Sequence, residues 1–168
     1  MATTLTANVS LAVAATLSDS LDIGSVTYPA NYTYNMLLTD GTGANQAKQI
    51  WTDTRTLTAS STENLDLSGT LVNALGVTLV FTKIKAVIVV ADSGNTNNVN
   101  VGGAASNTML LFGDPTDIVP VRPGGMFALT APDSTAYAVT AATGDILKVA
   151  NSSSGTSVTY TIIVIGTV

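Results

Sequence analysis

The chain contains no cysteine and no histidine among its 168 residues. It can therefore form no disulfide, and it offers no thiolate nucleophile. It also lacks the side chain that most often acts as a general base or binds a transition metal. Catalysis would have to rely on carboxylates, lysines, tyrosines and hydroxyls, so we expect no catalytic residue, no cofactor and no metal ion.

Charged side chains are also scarce. Asp, Glu, Lys and Arg make up 10% of the residues, whereas an ordinary soluble domain has about 25%. The net charge is −5, with only six Lys and Arg, so no basic patch is expected that could bind nucleic acid. A surface with so little charge is poorly soluble when exposed, which favours a protein covered by partners over one with an uncharged polar surface.

Long hydrophobic runs are absent, although 46% of the residues are hydrophobic. The longest clean apolar stretches are Ala86–Ala91 and Ile162–Ile165, whereas a membrane-spanning helix needs about 20 residues. The stretch Leu11–Ala15 is too short for a signal peptide, and no basic region precedes it. We therefore expect no membrane anchor and a product that stays in a soluble compartment.

Residues that favour β-strands dominate the chain. Thr, Val and Ile make up almost a third of it, and their branched side chains pack well on a pleated sheet. Apolar and polar residues alternate in many segments, and Ile84–Ala91 has the pattern of a central strand buried on both faces. The predicted strands are Leu5–Val13, Tyr32–Leu38, Ile50–Leu57, Leu65–Leu67, Val77–Phe81, Ile84–Ala91, Val99–Val101, Met109–Phe112, Val119–Val121, Met126–Ala131, Ala136–Thr140, Ile146–Ala150 and Val158–Ile165.

Turn-forming residues separate these strands at the spacing of a sandwich or barrel. Pro123-Gly124, for example, suits the centre of a type II turn. Only Ala44–Ile50 and Leu71–Leu75 are candidates for short helices. The predicted fold class is all-β, an antiparallel, jelly-roll-like β-sandwich with an N-terminal extended arm or edge hairpin.

The composition changes near residue 45, which divides the chain into an N-terminal arm (1–45) and a β-sandwich core domain (46–168). The arm could add a strand to a neighbouring molecule, or Leu5–Val13 could be an ordinary strand of the same sandwich. Arg122 could anchor an interface or lie over the domain's own surface. The predicted interface residues are Leu5, Val9, Leu11, Val13, Trp51, Arg55 and Arg122.

Two carboxylate pairs, Asp114/Asp117 and Asp19/Asp22, could serve as the acid and base of a glycosidase. Both lie in turn-like sequence, where Asp commonly bonds to the nearby backbone, so turn formation is the simpler interpretation. The segment Asp92–Asn97 offers oxygen ligands for calcium, but it lacks the spacing and the distal Glu of an EF-hand. Plain turns are again the simpler interpretation.

Four aromatic residues, Tyr28, Tyr32, Tyr34 and Trp51, lie close together in the sequence. They could form a sugar-binding platform like those of lectins or phage receptor-binding modules. Tyr32 and Tyr34 share one face of a predicted strand with Met36, so cross-strand packing explains them more economically.

Several segments resemble small virion proteins of tailed bacteriophages, which are typically found among the head genes. They are strand-and-turn motifs that together cover much of the chain. The matching segments are TLTASSTENLDLSG from Thr56, KIKAVIVVADSGNTNNVNVGGAASN from Lys83, VRPGGMFALTAPD from Val121, AVTAATGDILKVANS from Ala138 and SVTYTIIVIG from Ser157.

The resemblance implies a capsid cement or decoration protein, a β-sandwich or jelly-roll clamp on the outer surface of the head, often a homotrimer. Such a protein would be made in the host cytoplasm and would bind other copies of itself and the major capsid protein. One alternative is a tail, baseplate or fibre component that binds a host glycan through Tyr32, Tyr34 and Trp51. A second is a cell-wall hydrolase that uses Asp114 and Asp117.

Overall fold

A computed structural model of the protein describes residues 3–168. Within this range it contains twelve strands and no helix, which confirms the all-β class, and so no helical segment there could cross a membrane. The strands are β1 (Ala7–Ser20), β2 (Ser25–Asp40), β3 (Gln46–Ala47), β4 (Gln49–Leu57), β5 (Thr62–Asp66), β6 (Lys83–Ala91), β7 (Val99–Gly102), β8 (Ile118–Val121), β9 (Met126–Thr130), β10 (Tyr137–Ala138), β11 (Ile146–Asn151) and β12 (Val158–Thr167).

The strands form three sheets, and their pairing is antiparallel except for a short parallel contact between β2 and β3. The first sheet is the hairpin of β1 and β2 with β3 at its base. The second has the order β4-β12-β6, and both β9 and β10 pair with the free side of β6. The third has the order β5-β11-β7-β8.

The main hydrophobic core draws side chains from both of the larger sheets. Strand β12 alternates buried and half-buried residues from Val158 to Ile163, so that Tyr160 and Ile162 point into this core, and its last four residues are all buried. Strand β6 lies between β12 and β9, and its predicted central position is confirmed. Val87 and Val89 on one face of β6 belong to the main core, whereas Ala86 on the other face belongs to a second cluster at the base of the hairpin.

Four local predictions are wrong. The segments Val77–Phe81 and Met109–Phe112 are loops, although Leu79, Phe81, Met109 and Leu111 are buried. Buried and exposed side chains alternate in these loops as they do in strands, because a side chain can be buried without its backbone pairing with a neighbouring strand. Neither predicted helix exists: residues 44–50 hold a turn, β3 and the start of β4, and residues 71–75 form a turn closed by a bridge between Val72 and Thr78.

The N-terminal hairpin is longer than predicted. Strand β1 continues past Val13 to Ser20, and β2 begins at Ser25 rather than at Tyr32. The predicted boundary near residue 45 falls in the loop between β2 and β3, and the division into two domains stays a prediction.

Candidate functional site: the apolar face of the N-terminal hairpin

The part of the β1–β2 hairpin that lies farthest from the main core is exposed on all sides. Every residue from 10 to 33 is exposed to solvent, and we call this segment the distal hairpin. Strand residues rise by about 3.4 Å each, so the eleven β1 residues Ser10–Ser20 extend about 35 Å. A two-stranded ribbon of this length has no sheet neighbour to cover either of its faces.

The register of the hairpin separates apolar from polar side chains. Directly paired residues in an antiparallel ladder point to the same face of the sheet. The face that carries the odd-numbered residues of β1 is apolar, and we call it the apolar face. It consists of the pairs Leu11–Tyr34, Val13–Tyr32, Ala15–Ala30 and Leu17–Tyr28, followed near the tip by Asp19–Val26.

Large apolar side chains on this face are open to water. Leu17 is 72% exposed and Tyr28 65%, although a Leu or Tyr of a folded domain normally has much of its surface buried. Burying a side chain of this size contributes roughly 1.5–3 kcal/mol relative to leaving it in water. The apolar face therefore has an unused capacity to bind another apolar surface.

The opposite face of the distal hairpin is polar and uncharged. Its Ser, Thr and Asn side chains can hydrogen bond to water, so this face is stable when solvated. The pairs on it are Ser10–Asn35, Ala12–Thr33, Ala14–Asn31, Thr16–Pro29 and Ser18–Thr27. The hairpin is consequently amphipathic, with one face suited to solvent and the other to a partner.

The tip of the hairpin also presents apolar side chains. Ile23 is 94% exposed and Leu21 51%. The turn closes through the Leu21 backbone N–H, which donates to the Gly24 carbonyl oxygen at 3.0 Å, and Gly24 has φ of 92°, a conformation that favours glycine. The carboxylate of Asp19 accepts a hydrogen bond from the backbone of Ser20 and so serves the turn region.

At its base, the same apolar face is already covered. Met36 and Leu38 from β2 pack with Ala86 and Ile165 from the second sheet in a separate buried cluster. The hydroxyl of Tyr34 lies 3.3 Å from the hydroxyl of Thr130 on β9. The covered and uncovered parts form one continuous surface, and the chain itself covers only the proximal part.

The loop after the hairpin is tied to the body of the protein. The buried Lys85 donates from Nζ to the carbonyl oxygens of Gly43, at 3.1 Å, and of Asp133. Burial lowers the pKa of this ammonium group, and the charge of Asp133 acts in the opposite direction. The Asn45 N–H donates to the Pro132 carbonyl oxygen at 2.7 Å. These contacts hold the hairpin base in a defined position.

A second set of polar contacts joins the chain before β1 to the end of β2. The Leu5 N–H donates to Oδ1 of Asp40 at 3.1 Å, and Lys48 forms an ion pair with the same carboxylate. The hydrogen bond from Lys48, followed by the one from Leu5, lowers the pKa of Asp40. Both strands of the hairpin are therefore anchored where they leave the body.

The predicted interface residues fall into separate environments. Leu5 and Val9 pack against the cluster at the hairpin base. Leu11 and Val13 lie on the exposed apolar face, where they are 47% and 49% exposed. Trp51 is only 4% exposed and belongs to the main core, so it offers almost no surface to a partner or a sugar.

Arg55 is engaged within the chain. Its Nε donates to Oε2 of Glu63 at 2.6 Å and its guanidinium to Oδ2 of Asp53 at 2.8 Å. The guanidinium lies 5.8 Å from the ring centroid of Trp51, and the Tyr160 hydroxyl donates to the other oxygen of Glu63. This network connects β4, β5 and β12, so Arg55 joins the two larger sheets.

Arg122 is exposed in the turn between β8 and β9. The Gly125 N–H donates to the Arg122 carbonyl oxygen at 2.8 Å, and Gly124 has φ of 71°. Both features fit the predicted type II turn centred on Pro123-Gly124. The side chain of Arg122 is open to a partner.

The candidate catalytic and calcium-binding carboxylates form turns. Oδ2 of Asp117 accepts from the Asp114 N–H at 2.8 Å, and Oδ1 of Asp114 accepts from the Thr116 N–H at 2.9 Å. The bonds from Thr116 lower the pKa of Asp114, whereas a general acid needs a raised one. Asp92 accepts from the Gly94 N–H in the same way. Residues 3–168 contain no group of three or more His, Cys, Asp or Glu that could hold a metal ion.

Sequence reasoning missed the outer half of the apolar face. Leu17, Leu21, Ile23 and Val26 are absent from the predicted interface residues, and Tyr28 was considered only as part of a sugar-binding platform. The signal was present, because alternation in β1 continues to Leu17 and apolar residues recur on the other side of the Gly24 turn. Matching the two strands around that turn would have revealed the amphipathic ribbon.

Comparison of the chain with protein-family models, with curated proteins and with solved structures found no match.

Proposed function

We propose that the protein is a structural component of a phage virion, a capsid decoration protein that binds copies of itself and the neighbouring major capsid protein. The observation that carries this proposal is the exposed apolar face of the distal hairpin. An amphipathic ribbon with one exposed apolar face, anchored at its base to the body of the protein, is suited to assembly. The resemblance to small virion proteins supports the outer surface of the head as the location of this assembly.

We also propose that the two larger sheets face each other as a jelly-roll β-sandwich. Apart from the short β10, the second sheet has the order β4-β12-β6-β9, and the third sheet has the order β5-β11-β7-β8. When these eight strands are counted along the chain, the first lies beside the last, the second beside the seventh, the third beside the sixth and the fourth beside the fifth. This pairing supports the proposed jelly roll. Jelly rolls occur in viral capsid and lectin domains, but a fold alone does not set a function.

The mechanism that we propose is adhesive. Each copy makes several weak contacts with its neighbours, and in a symmetric array each further contact becomes intramolecular and therefore effective. The low content of charged residues suits surfaces that become covered on assembly.

The test is the location and copy number of the chain in purified particles, determined by electron microscopy and quantitative mass spectrometry. We expect a fixed stoichiometry relative to the major capsid protein. Particles produced without the protein should release their genome at a lower temperature, while their tails and host adsorption remain normal. Purified heads that lack the protein would contradict the proposal.

A second candidate function is glycan binding by a tail or fibre component. It is favoured by Tyr28 and Tyr32, which are 65% and 64% exposed on the same face of the hairpin, because exposed aromatic rings can stack on sugars. Trp51 cannot contribute, since it is buried. Loss of host adsorption in Tyr28→Ala and Tyr32→Ala particles, with normal head stability, would favour this function over decoration.

A further inference from the structure

We propose that two copies of the chain associate through the apolar faces of their distal hairpins, which lie face to face with their tips pointing in opposite directions. This inference rests on the proposed function in that it names the contact by which the protein binds itself. It assigns the hairpin to a second copy rather than to the major capsid protein.

The first argument is that the distal hairpin needs a cover. A two-stranded hairpin alone in water is at best marginally stable, and here eleven paired positions, from Ser10–Asn35 to Ser20–Ser25, extend into solvent. One side of this ribbon carries Leu, Val and Tyr, and the other carries Ser, Thr and Asn. Covering the first side would leave the second in water, where its hydrogen bonds are satisfied.

The second argument is that the apolar face is complementary to itself. The small Ala15–Ala30 pair lies between the larger pairs Val13–Tyr32 and Leu17–Tyr28. A two-fold axis through the alanine pair would place the Leu17 pair of one copy on the Val13 pair of the other. Every contact then occurs twice, as in isologous interfaces. No charged side chain belongs to these three pairs, so burying them incurs no ionic desolvation cost, and Asp19 lies at the end of the contact.

The third argument is that addition of a strand along β2 is obstructed, whereas packing on the apolar face is not. A neighbour that added a strand along β2 would need the backbone N–H groups of its free edge, and Pro29 has none. Proline on a strand edge obstructs such pairing. The side chains of the apolar face meet no such obstacle. Pairing along β2 is therefore obstructed, and packing of the apolar faces is the contact that we propose, in contrast to the strand addition considered from the sequence.

The direction of the two hairpins follows from Asp19. This residue lies on the apolar side near the tip, paired with Val26. Tips that pointed the same way would bring the Asp19 carboxylates of the two copies together, and like charges that face each other are destabilising. Tips that point in opposite directions separate the two carboxylates and place each near the partner's Leu11–Tyr34 pair.

The flat area of the apolar face is smaller than a standard interface, so the contact also needs the side chains at the hairpin tip. Two strands about 35 Å long and about 5 Å apart present a face of the order of 350 Å² before side-chain relief is counted. A standard interface buries roughly 800 Å² per partner. In the antiparallel arrangement the exposed tip residues Leu21 and Ile23 reach toward the body of the partner and enlarge the contact.

The test uses the absence of cysteine from the chain, which makes every introduced thiol unique. Ala15 and its neighbour Ala14 are both exposed alanines of β1 on opposite faces, so Ala15→Cys and Ala14→Cys are a matched pair. With a short bismaleimide, we expect the purified full-length Ala15→Cys variant to form covalent dimers and the Ala14→Cys variant to remain uncrosslinked. Equal crosslinking of the two variants would overturn the proposal.

Mixtures of cysteine variants test the relative direction of the two hairpins and the identity of the surface that covers the apolar face. A mixture of Val13→Cys and Leu17→Cys proteins should give heterodimers in excess over the Leu17→Cys homodimer, whereas a dominant Leu17→Cys homodimer would overturn the antiparallel arrangement. Met126 is exposed on the outer face of the second sheet. Crosslinks between Ala15→Cys and Met126→Cys proteins that exceed those of Ala15→Cys alone would make that sheet the occupant and overturn the proposal.

Substitution by a charge provides an independent readout. Ala15→Asp would bury one carboxylate from each copy in the contact, and we expect the dissociation constant of the dimer to rise at least about 10-fold. Ala14→Asp should leave the dimer unchanged. If the Ala15 variants fail these tests while the protein still decorates capsids, the hairpin contact is wrong and the proposed function stands. If purified heads lack the protein, the proposed function fails whatever the crosslinks show.

Discussion

Tyr160 is the largest side chain that is fully buried in the protein. Its hydroxyl donates to Glu63, which in turn is held by Arg55. Burial, followed by the neighbouring carboxylate of Glu63, raises the pKa of Tyr160 far above its usual value. The phenol therefore keeps its proton in the folded state at pH values where an unfolded tyrosine ionises.

This shift predicts a pH dependence of stability. The folded-state pKa is raised, so the contribution of Tyr160 is complete below the unfolded value of about 10 and is lost as the pH rises above it, by roughly 1.4 kcal/mol per pH unit. Urea denaturation at pH 9 and pH 11 should show a smaller loss of unfolding free energy for Tyr160→Phe than for the unaltered protein. Lys85 contributes equally to both proteins.

An equal loss in the Tyr160→Phe variant would mean that Tyr160 ionises normally in the folded state.

Gly166 predicts a steric effect within β12. A Cβ at this position would collide with the Lys83 carbonyl oxygen and lie 2.8 Å from the Phe81 ring. The β12–β6 register shifts between Ile165 and Gly166, so the backbones are held close at this point. We expect Gly166→Ala to lower the unfolding free energy by about 1–3 kcal/mol, measured by urea denaturation, because overpacking forces the backbone to shift.

The matched control for Gly166 is Gly113, where the nearest atom to an added Cβ lies 3.8 Å away. We expect Gly113→Ala to change the unfolding free energy by less than about 0.5 kcal/mol, as at most surface positions. A neutral Gly166→Ala variant would show that the two strands separate without cost.

At the scale of elements, the hairpin and the body depend on different interactions. The body is held by a core that draws on both larger sheets, and the hairpin base by a smaller cluster with Lys85 and Asp40 nearby. The distal hairpin contributes to neither core. It should therefore be possible to remove it without unfolding the rest of the chain.

A truncated variant tests this separation. Leu11 and Tyr34 are paired across the hairpin, so residues 12–33 can be replaced by an Asn-Gly turn, which suits a two-residue hairpin loop. We expect the melting temperature to change by less than about 4 °C and the purified variant to be monomeric by light scattering. A cooperative loss of folding would mean that the distal hairpin is part of the body's stability.

At the scale of the whole molecule, association should depend little on charge. The chain has a net charge of −5, whereas the four residue pairs from Leu11–Tyr34 to Leu17–Tyr28 on the apolar face carry no charged side chain. Salt screens the repulsion between like-charged copies and leaves an apolar contact intact. Sodium sulfate should strengthen the contact further, because it is excluded from protein surfaces.

We therefore expect the dissociation constant of the purified protein to stay constant or to fall as sodium chloride is raised from about 0.05 M to about 1 M. Analytical ultracentrifugation across this range measures it, and the Ala14→Asp protein serves as a control with one more negative charge per copy. Dissociation at high salt would indicate that ion pairs, rather than the apolar face, hold the copies together.

The sequence by itself determined the all-β class and the position of most strands, because alternation and turn residues act locally. It also indicated that Ile84–Ala91 is central, because a nearly continuous apolar run is typical of a central strand, although Val90 on its outer face is exposed. It failed where buried residues lie on loops, as at Phe81 and Met109. Apolar and polar residues alternate wherever alternate side chains are buried, whether or not the backbone belongs to a β-sheet.

Only the tertiary structure decided which apolar residues are exposed. Trp51 and Leu17 are both large and apolar, yet Trp51 lies in the main core and Leu17 in solvent. The difference depends on whether a second sheet lies opposite the strand, which is a contact between residues far apart in the chain. For the same reason, the apolar face appeared only once the register paired β1 with β2 across the Gly24 turn.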